Sequence, residues 1–506
     1  MRVVYTNKIP EFISPQENLW IYNGLDNAVT HEVGDVLERD LKTQQSDKTY
    51  NFTLGMMAPA FQMMIRGIKI NLVARDKLRE ELSATLLRLE LLFNRICTEV
   101  AGRSFNSRSP AQLKELFYTF MGIPPIEIFD YTTKEKKISV NREALEKLRA
   151  YYYAQPLANT ILAMRDVEKK LQVLKSGVDS DGRMRCSYNV VGTETGRWSS
   201  SKNAFNRGTN NQNITDEMRE IFIPDEGMKL AYLDLEQAES RAVAYISGDP
   251  AYIAACNSGD LHTAVCRLIW KDLPWTGELG LDKAIAERLF YRHFSHRDLA
   301  KRGGHASNYY AKPHTISHHL HIPREIAERF QQAYFSAYPL LSQWHQKVAM
   351  KLGATSSLTT LLGRKRLFFS RPRDDKTLRE AIAYEPQSCV GDILNIGLWR
   401  VWKHLDPKDC QILGQVHDAI LLQYKEEDEL RVLTRALSLM RVEVPTPHGT
   451  MTIPTEAAVG WNWRKAGKDG INFWGLKKFN GKPDTRKRPE GLKKTSMLDR
   501  LVCSVN

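Results

Sequence analysis

Paired cysteines are missing from this sequence of 506 residues: Cys97, Cys186, Cys256, Cys266, Cys389, Cys410 and Cys503 are odd in number, scattered and nowhere spaced as CxxC. That excludes a disulfide framework and a zinc knuckle and leaves reduced, buried thiols. HExxH is absent too, so His314, His318, His319 and His321 in HTISHHLHIP are read as a basic loop and not as a zinc site. No run approaches the ~18 apolar residues of a membrane span. The opening MRVVYTNKIP has no apolar stretch of signal-peptide length. An intracellular protein without a membrane partner is expected.

What is present is ordinary in composition but not in charge. With 42% hydrophobic and 26% charged residues the chain reads as folded, and its length suggests three or four lobes that can enclose a cleft. The 72 Lys+Arg exceed 59 Asp+Glu, a formal charge of +13 that suits a polyanionic partner if it is clustered.

Residues 74–100 hold Leu78, Leu82, Leu86, Leu89, Phe93 and Ile96 at steps of three and four with neither Gly nor Pro, which predicts a long amphipathic helix. A second helical stretch is expected over roughly 140–174, making 46–185 a mainly helical lobe. The texture then changes. KLAYLDLEQAESR (229–241) opens as a strand that ends at Asp234, a basic and aromatic helical stretch fills 260–350, and strands return in QILGQVHDAILLQY (411–424). A sheet split by a helical insertion is expected.

Asp234 at a strand end and Asp418 at a hairpin tip meet at one sheet edge if the strands are neighbours. Two such carboxylates repel one another unless divalent cations bridge them, and a pair of Mg²⁺ ions is the usual device for in-line phosphoryl transfer. In HRDLAKRGGHASNYYAKP (296–313), Arg297, Lys301, His305 and Tyr309 recur at a step of four and line one helical stripe. Such a stripe offers a bidentate phosphate clamp, a mobile ammonium and two rings for a sugar and base. The competing reading is a basic surface helix.

TETGRWSSSKNAFNRGTNNQNI (193–214), LDLEQAESR (233–241), GDLHTAV (259–265), RDLAKRGGHASNYY (297–310) and QVHDAIL (415–421), in this order over about 46–465, resemble the motifs of the family A DNA polymerases, the group of bacterial polymerase I and many phage replicases. The resemblance implies an α/β (α+β) right-hand fold: a thumb at 46–185, a palm with an antiparallel sheet from 186–259 and 350–465, and helical fingers at 260–349. Residues 1–45 would be the remnant of the end of an exonuclease domain, and 466–506 a basic, extended tail. The implied activity is DNA-templated extension of a primer 3′-hydroxyl with dNTPs on primer–template DNA, with two Mg²⁺ ions, or Mn²⁺ in their place, in phage DNA replication. A phage-encoded chain would work in the cytoplasm of a bacterial host.

Carried over residue by residue, Asp234 and Asp418 would hold the metals with the Leu235 carbonyl. Arg297, Lys301 and His262 would contact the triphosphate, Lys301 also donating a proton to pyrophosphate. Glu239 would exclude a ribose 2′-hydroxyl, with Gln237 and His305 also on the nucleotide and Tyr309 stacking at the templating position. Arg197, Asn213, Gln387, Arg241 and His417 would touch primer or template. The chain departs from the family pattern at His305, where Phe or Tyr is usual, at Tyr310 in place of glycine, and at Ala419, where a third carboxylate usually follows His417 and Asp418. Tyr22 and Asp26 form a YxxxD like the last motif of a 3′–5′ exonuclease, without the two earlier ones. The expectation is therefore no proofreading by this chain, the exonuclease being lost or supplied, like any processivity factor, by a separate polypeptide. A single-subunit RNA polymerase, a noncatalytic DNA binder and a nuclease are the rival readings.

Overall fold

The computed structural model describes residues 14–130, 135–291, 294–467 and 472–489. Its N-terminal helix α1 (Pro15–Thr43), started by a Ser14–Glu17 capping box, buries none of its residues. Helices α2 (Asp47–Gly55) and α3 (Met57–Arg66) follow. The expected long helix is α4 (Leu72–Ala101), capped by the Asn71 side chain and ended by Gly102 in the left-handed conformation at φ 68°. The stretch over 140–174 is two helices, α5 (Arg142–Leu148) and α6 (Gln155–Leu174), because Pro156 fits only the first turn of a new helix. Phe93 and Cys97 of α4 pack on Leu157, Ala158, Ile161 and Met164 of α6, giving this lobe its own core.

Helix α7 (Ala238–Ser247) leads into the insertion, which comprises α8 (Leu261–Ile269), α9 (His296–Asn308) and α10 (Arg324–Ala337), among others. Helix α9 begins with a Ser295–Asp298 capping box. It buries His296, Leu299, Ala300, Gly303, Gly304, Ser307 and Asn308, which leaves the 297/301/305/309 stripe facing out. The paired glycines have a packing reason: a Cβ on Gly303 would stand 2.6 Å from the Phe330 ring and one on Gly304 3.2 Å from Tyr334, both on α10.

The largest sheet is antiparallel and five-stranded. A small sheet formed by β1 (Ile68–Ile70), β2 (Arg183–Met184) and β3 (Phe222–Ile223) lies under it. The main strands are β4 (Met228–Leu235), β5 (Cys410–Val416), β6 (Ala419–Lys425), β7 (Thr455–Gly460) and β8 (Lys477–Lys478), in the order β5-β6-β4-β7-β8. Ala231, Leu233, Leu235, Ile420, Leu422 and Val459 pack on helices α11 (Asp375–His404) and α12 (Glu429–Met440). Leu230, Tyr232 and Leu421 pack on Ile70, Phe222 and Trp463. Both faces are covered, so the strands read as apolar runs and not as alternation. Met56, Ala60 and Met63 share the sheet's core with α11, so the first part of the segment expected in the thumb lies against this sheet.

The expectation of an extended tail from 466 is corrected as far as residue 489. Strand β8 pairs with β7 through Val459↔Lys477 and Ala458↔Lys478. Beyond it Asp484, its side chain 8% exposed, meets Lys229 at 3.0 Å, and Lys229 meets Glu429 at 2.7 Å. Arg486 donates to Asp484 and to the carbonyls of Val459 and Gly475. Arg486, its side chain 7% exposed, is thus a buried tie to the sheet and not part of a free arm, because a buried charge must be paired, while Lys477 and Lys478 stay exposed. Residues 490–506 lie outside the described residues.

Candidate active site

The sheet register brings the two aspartates together. Asp234 is the penultimate residue of β4, opposite Ala419 of β6, and Asp418 occupies the turn between β5 and β6. The Leu235 amide donates to the Asp418 carbonyl at 3.1 Å, tying strand end to turn. His417 takes φ 53°, a left-handed conformation that makes the turn tight. On the other flank Glu456 of β7 faces Asp234 across the strands, so a third carboxylate does stand beside it, on the opposite neighbour from Ala419. Although solvent reaches Asp234, the protein around it excludes enough water, with Asp418 adding repulsion, to push its carboxyl up to about 6. Burial raises Asp418 as well, against the pull of Arg197. Two carboxylates whose ionised forms are disfavoured by burial and by one another are the donor set that a hard divalent cation relieves. Among the described residues no group of three or more His, Cys, Asp or Glu side chains is arranged for a metal, the histidines of HTISHHLHIP included.

Arg197 links the acids to the helical insertion. Its Nη2 lies 2.6 Å from Glu239 Oε1 and 3.2 Å from Asp418 Oδ1. Glu239, in the first turn of α7, also accepts from the Tyr309 hydroxyl, and Gln387 of α11 stands beside the same phenol. Burial and Glu239 hold Tyr309 well above the ordinary phenol range, so it stays a donor. His305 Nδ1 is 3.9 Å from Glu239, and its ring meets Tyr309 edge-on at 4.9 Å between centroids. Tyr310 adopts φ 61°, which explains why glycine suits that position; here its ring is held edge-on to His345 at 5.3 Å.

Asp260, absent from the residues that the sequence singled out, organises the phosphate side. It caps α8 by accepting from the amides of His262 and Thr263, and takes Nε and Nη2 of Arg297 at 3.1 Å each. This fork fixes the guanidinium beside His262, whose imidazole burial first, and Arg297 second, push down to about 4. His262 is therefore a neutral hydrogen-bonding group at pH 7. Lys301, one turn beyond Arg297 on the outward stripe, is exposed. The signal for Asp260 was legible: an Asp two residues before His262 is a good N-cap.

Not every expected residue reaches the cleft. Arg241 is 7% exposed and donates to Asn257 at 3.0 Å, inside the helical packing. The Leu235 side chain is core, leaving only its backbone near the site. Asn213 is exposed on a short 3₁₀ turn beside Gln212, which is braced by Gln415 at 2.9 Å. Gln237 stands at φ 52° before α7 with its Oε1 buried and unbonded in the structure. Tyr22 and Asp26 lie on α1, where Tyr22 is 62% exposed, and among the described residues no metal-holding carboxylate cluster includes them.

The profile of DNA polymerase family A matches residues 75–465. The thermostable DNA polymerase I of Thermus filiformis is 26% identical over 420 residues, 80% of this chain and 47% of the relative. DNA polymerase I of Chloroflexus aurantiacus is 26% identical over 471 residues, 89% of this chain and 47% of the relative. The chain thus spans about half the length of these curated relatives. Among solved structures, the POL domain of Pol1 from M. smegmatis, in complex with DNA primer-template and dNTP, superimposes with a TM-score of 0.70 at 21% identity, covering 86% of this chain and 74% of that one. The match to the family profile runs through both aspartates, the α9 stripe and the Glu239–Tyr309 pair, and on it the chain belongs to DNA polymerase family A.

Proposed function

We propose that the chain is a DNA-templated DNA polymerase that extends a primer 3′-hydroxyl with dNTPs. The observation that carries the reading is the meeting of Asp234 and Asp418 at one sheet edge, both with disfavoured ionised forms, linked through Arg197, Glu239 and His305 to the helix that carries Arg297 and Lys301. Asp234 and Asp418 would hold Mg²⁺ or Mn²⁺; two such ions at a carboxylate pair supply a lowered pKa for the attacking hydroxyl and neutralise pyrophosphate. Until then Arg197 supplies the positive charge beside Asp418. Asp260 pre-orients Arg297 to clamp phosphate, and Lys301 is free to donate a proton to the leaving pyrophosphate. Glu239, fixed by Arg197 and Tyr309, occupies the space a 2′-hydroxyl would need and favours deoxynucleotides over ribonucleotides.

In this reading α4 to α6 form the thumb over most of 46–185, the helical insertion the fingers at 260–349, and the sheet with α11 and α12 the palm. That this chain does not proofread by itself, an exonuclease or processivity partner being separate, belongs to the same proposal. Replication of a phage genome inside a bacterium belongs to the same proposal, tested by whether the chain appears only after infection. The decisive assay is extension of a labelled primer–template by the purified chain, with Asp418→Ala and a mismatched 3′ end in parallel. Extension lost in the variant and a mismatch left untrimmed support the reading; trimming abolished by Asp26→Ala would contradict the absence of proofreading.

A further inference from the structure

A cavity of about 420 Å³ opens beside Asp234, between β7, the turn after it and β8, and its wall includes Glu456, Lys465, Phe473, Lys477 and Lys478. Three of these, Phe473, Lys477 and Lys478, lie past residue 465, outside the span that matches the family. The segment is anchored: Arg486 holds the Phe473 and Gly475 carbonyls from beneath, its guanidinium 5.8 Å from the Phe473 ring. Phe473 is nevertheless 53% exposed, and Trp474 meets it edge-on at 5.8 Å. Of the three ammonium groups, Lys478 is taken by Glu456, while among the described residues no carboxylate forms an ion pair with Lys465 or Lys477. Lys465 instead acts at longer range on Asp234, whose ionised form it favours.

Uncommitted cations around an exposed ring that is backed by a fixed guanidinium are the elements of a strand-binding platform, on which phosphates meet ammonium groups and a base stacks. We propose that this cavity binds a nucleic-acid strand next to the reaction centre, with phosphates on Lys465 and Lys477 and a base on Phe473. This rests on the polymerase reading and adds to it a site built largely by residues beyond the family span.

The test is equilibrium binding of a labelled single-stranded oligonucleotide and a labelled primer–template to the full chain, without dNTP, over a range of salt. Phe473→Ala should weaken binding about tenfold. Lys465→Gln with Lys477→Gln should lower the log–log salt slope by about 1.4 on single strands, whereas Lys465→Arg with Lys477→Arg should keep it. A loss on both DNAs assigns the site to any passing single strand, and a loss confined to primer–template assigns it to the duplex strand; both support the proposal. Wild-type binding with all variants unchanged, or an equal loss in the arginine variant, overturns it alone, and a wild type that binds neither DNA overturns the polymerase reading with it.

Discussion

Asp234 and Asp418 carry the chemistry, and Asp234 also carries a cost that can be measured. Its folded pKa, about 6, lies above the usual 3.8, so the folded state binds the extra proton between those values. Stability from this group is therefore present below about pH 4 and lost as pH rises through 6. Asp234→Asn should stabilise the metal-free protein at pH 8 by roughly 1 kcal/mol after solvent screening, read as a higher melting temperature, with the gain vanishing at pH 4; a gain independent of pH would contradict the assignment. Glu239→Ala should release ribonucleotides into the product, improving their use about 10–100-fold relative to dNTPs by removing a steric and polar block, as measured by competing single incorporations. At this scale the sequence was most legible where chemistry forces a residue type, at the aspartates and the α9 stripe. It was least legible where burial decides: Arg241 has the same letters whether it faces DNA or Asn257.

Periodicity revealed the elements with strong repeats and concealed their joints. Helix α4 was readable because its apolar steps continue without a breaker, whereas the gap between α5 and α6 depends on one proline and a tertiary turn. The glycines of α9 looked like a weakness and are instead the contact with α10, since no Cβ fits against Phe330. Gly303→Ala should cost about 1–3 kcal/mol by overpacking and should disturb dNTP binding through the displaced stripe. Thermal unfolding together with the KM for dNTP checks both, and an unchanged melting temperature would show that Phe330 yields freely.

For the whole molecule, the alternation of helices and strands along the chain was visible in its texture, but the attachment of residues 472–489 to the sheet was not. Lys, Arg, Gly and Pro without periodicity look the same in a solvated tail and in a strap held by buried ion pairs. Lys229→Met would leave Glu429 and Asp484 buried without their shared cation. It should cost about 3–5 kcal/mol, read as a lower urea midpoint with an unchanged slope. The account as a whole stands on the sheet that brings one carboxylate from β4 and one from the β5–β6 turn to a single point. The most direct measurement is single-nucleotide incorporation by the wild type and Asp418→Ala at equal DNA occupancy, across a titration of Mg²⁺. The account predicts saturable, Mg²⁺-dependent incorporation by the wild type and a loss of at least about a thousandfold in the variant. Incorporation by Asp418→Ala at a comparable rate, or none by a wild type that binds both DNA and dNTP, would contradict it.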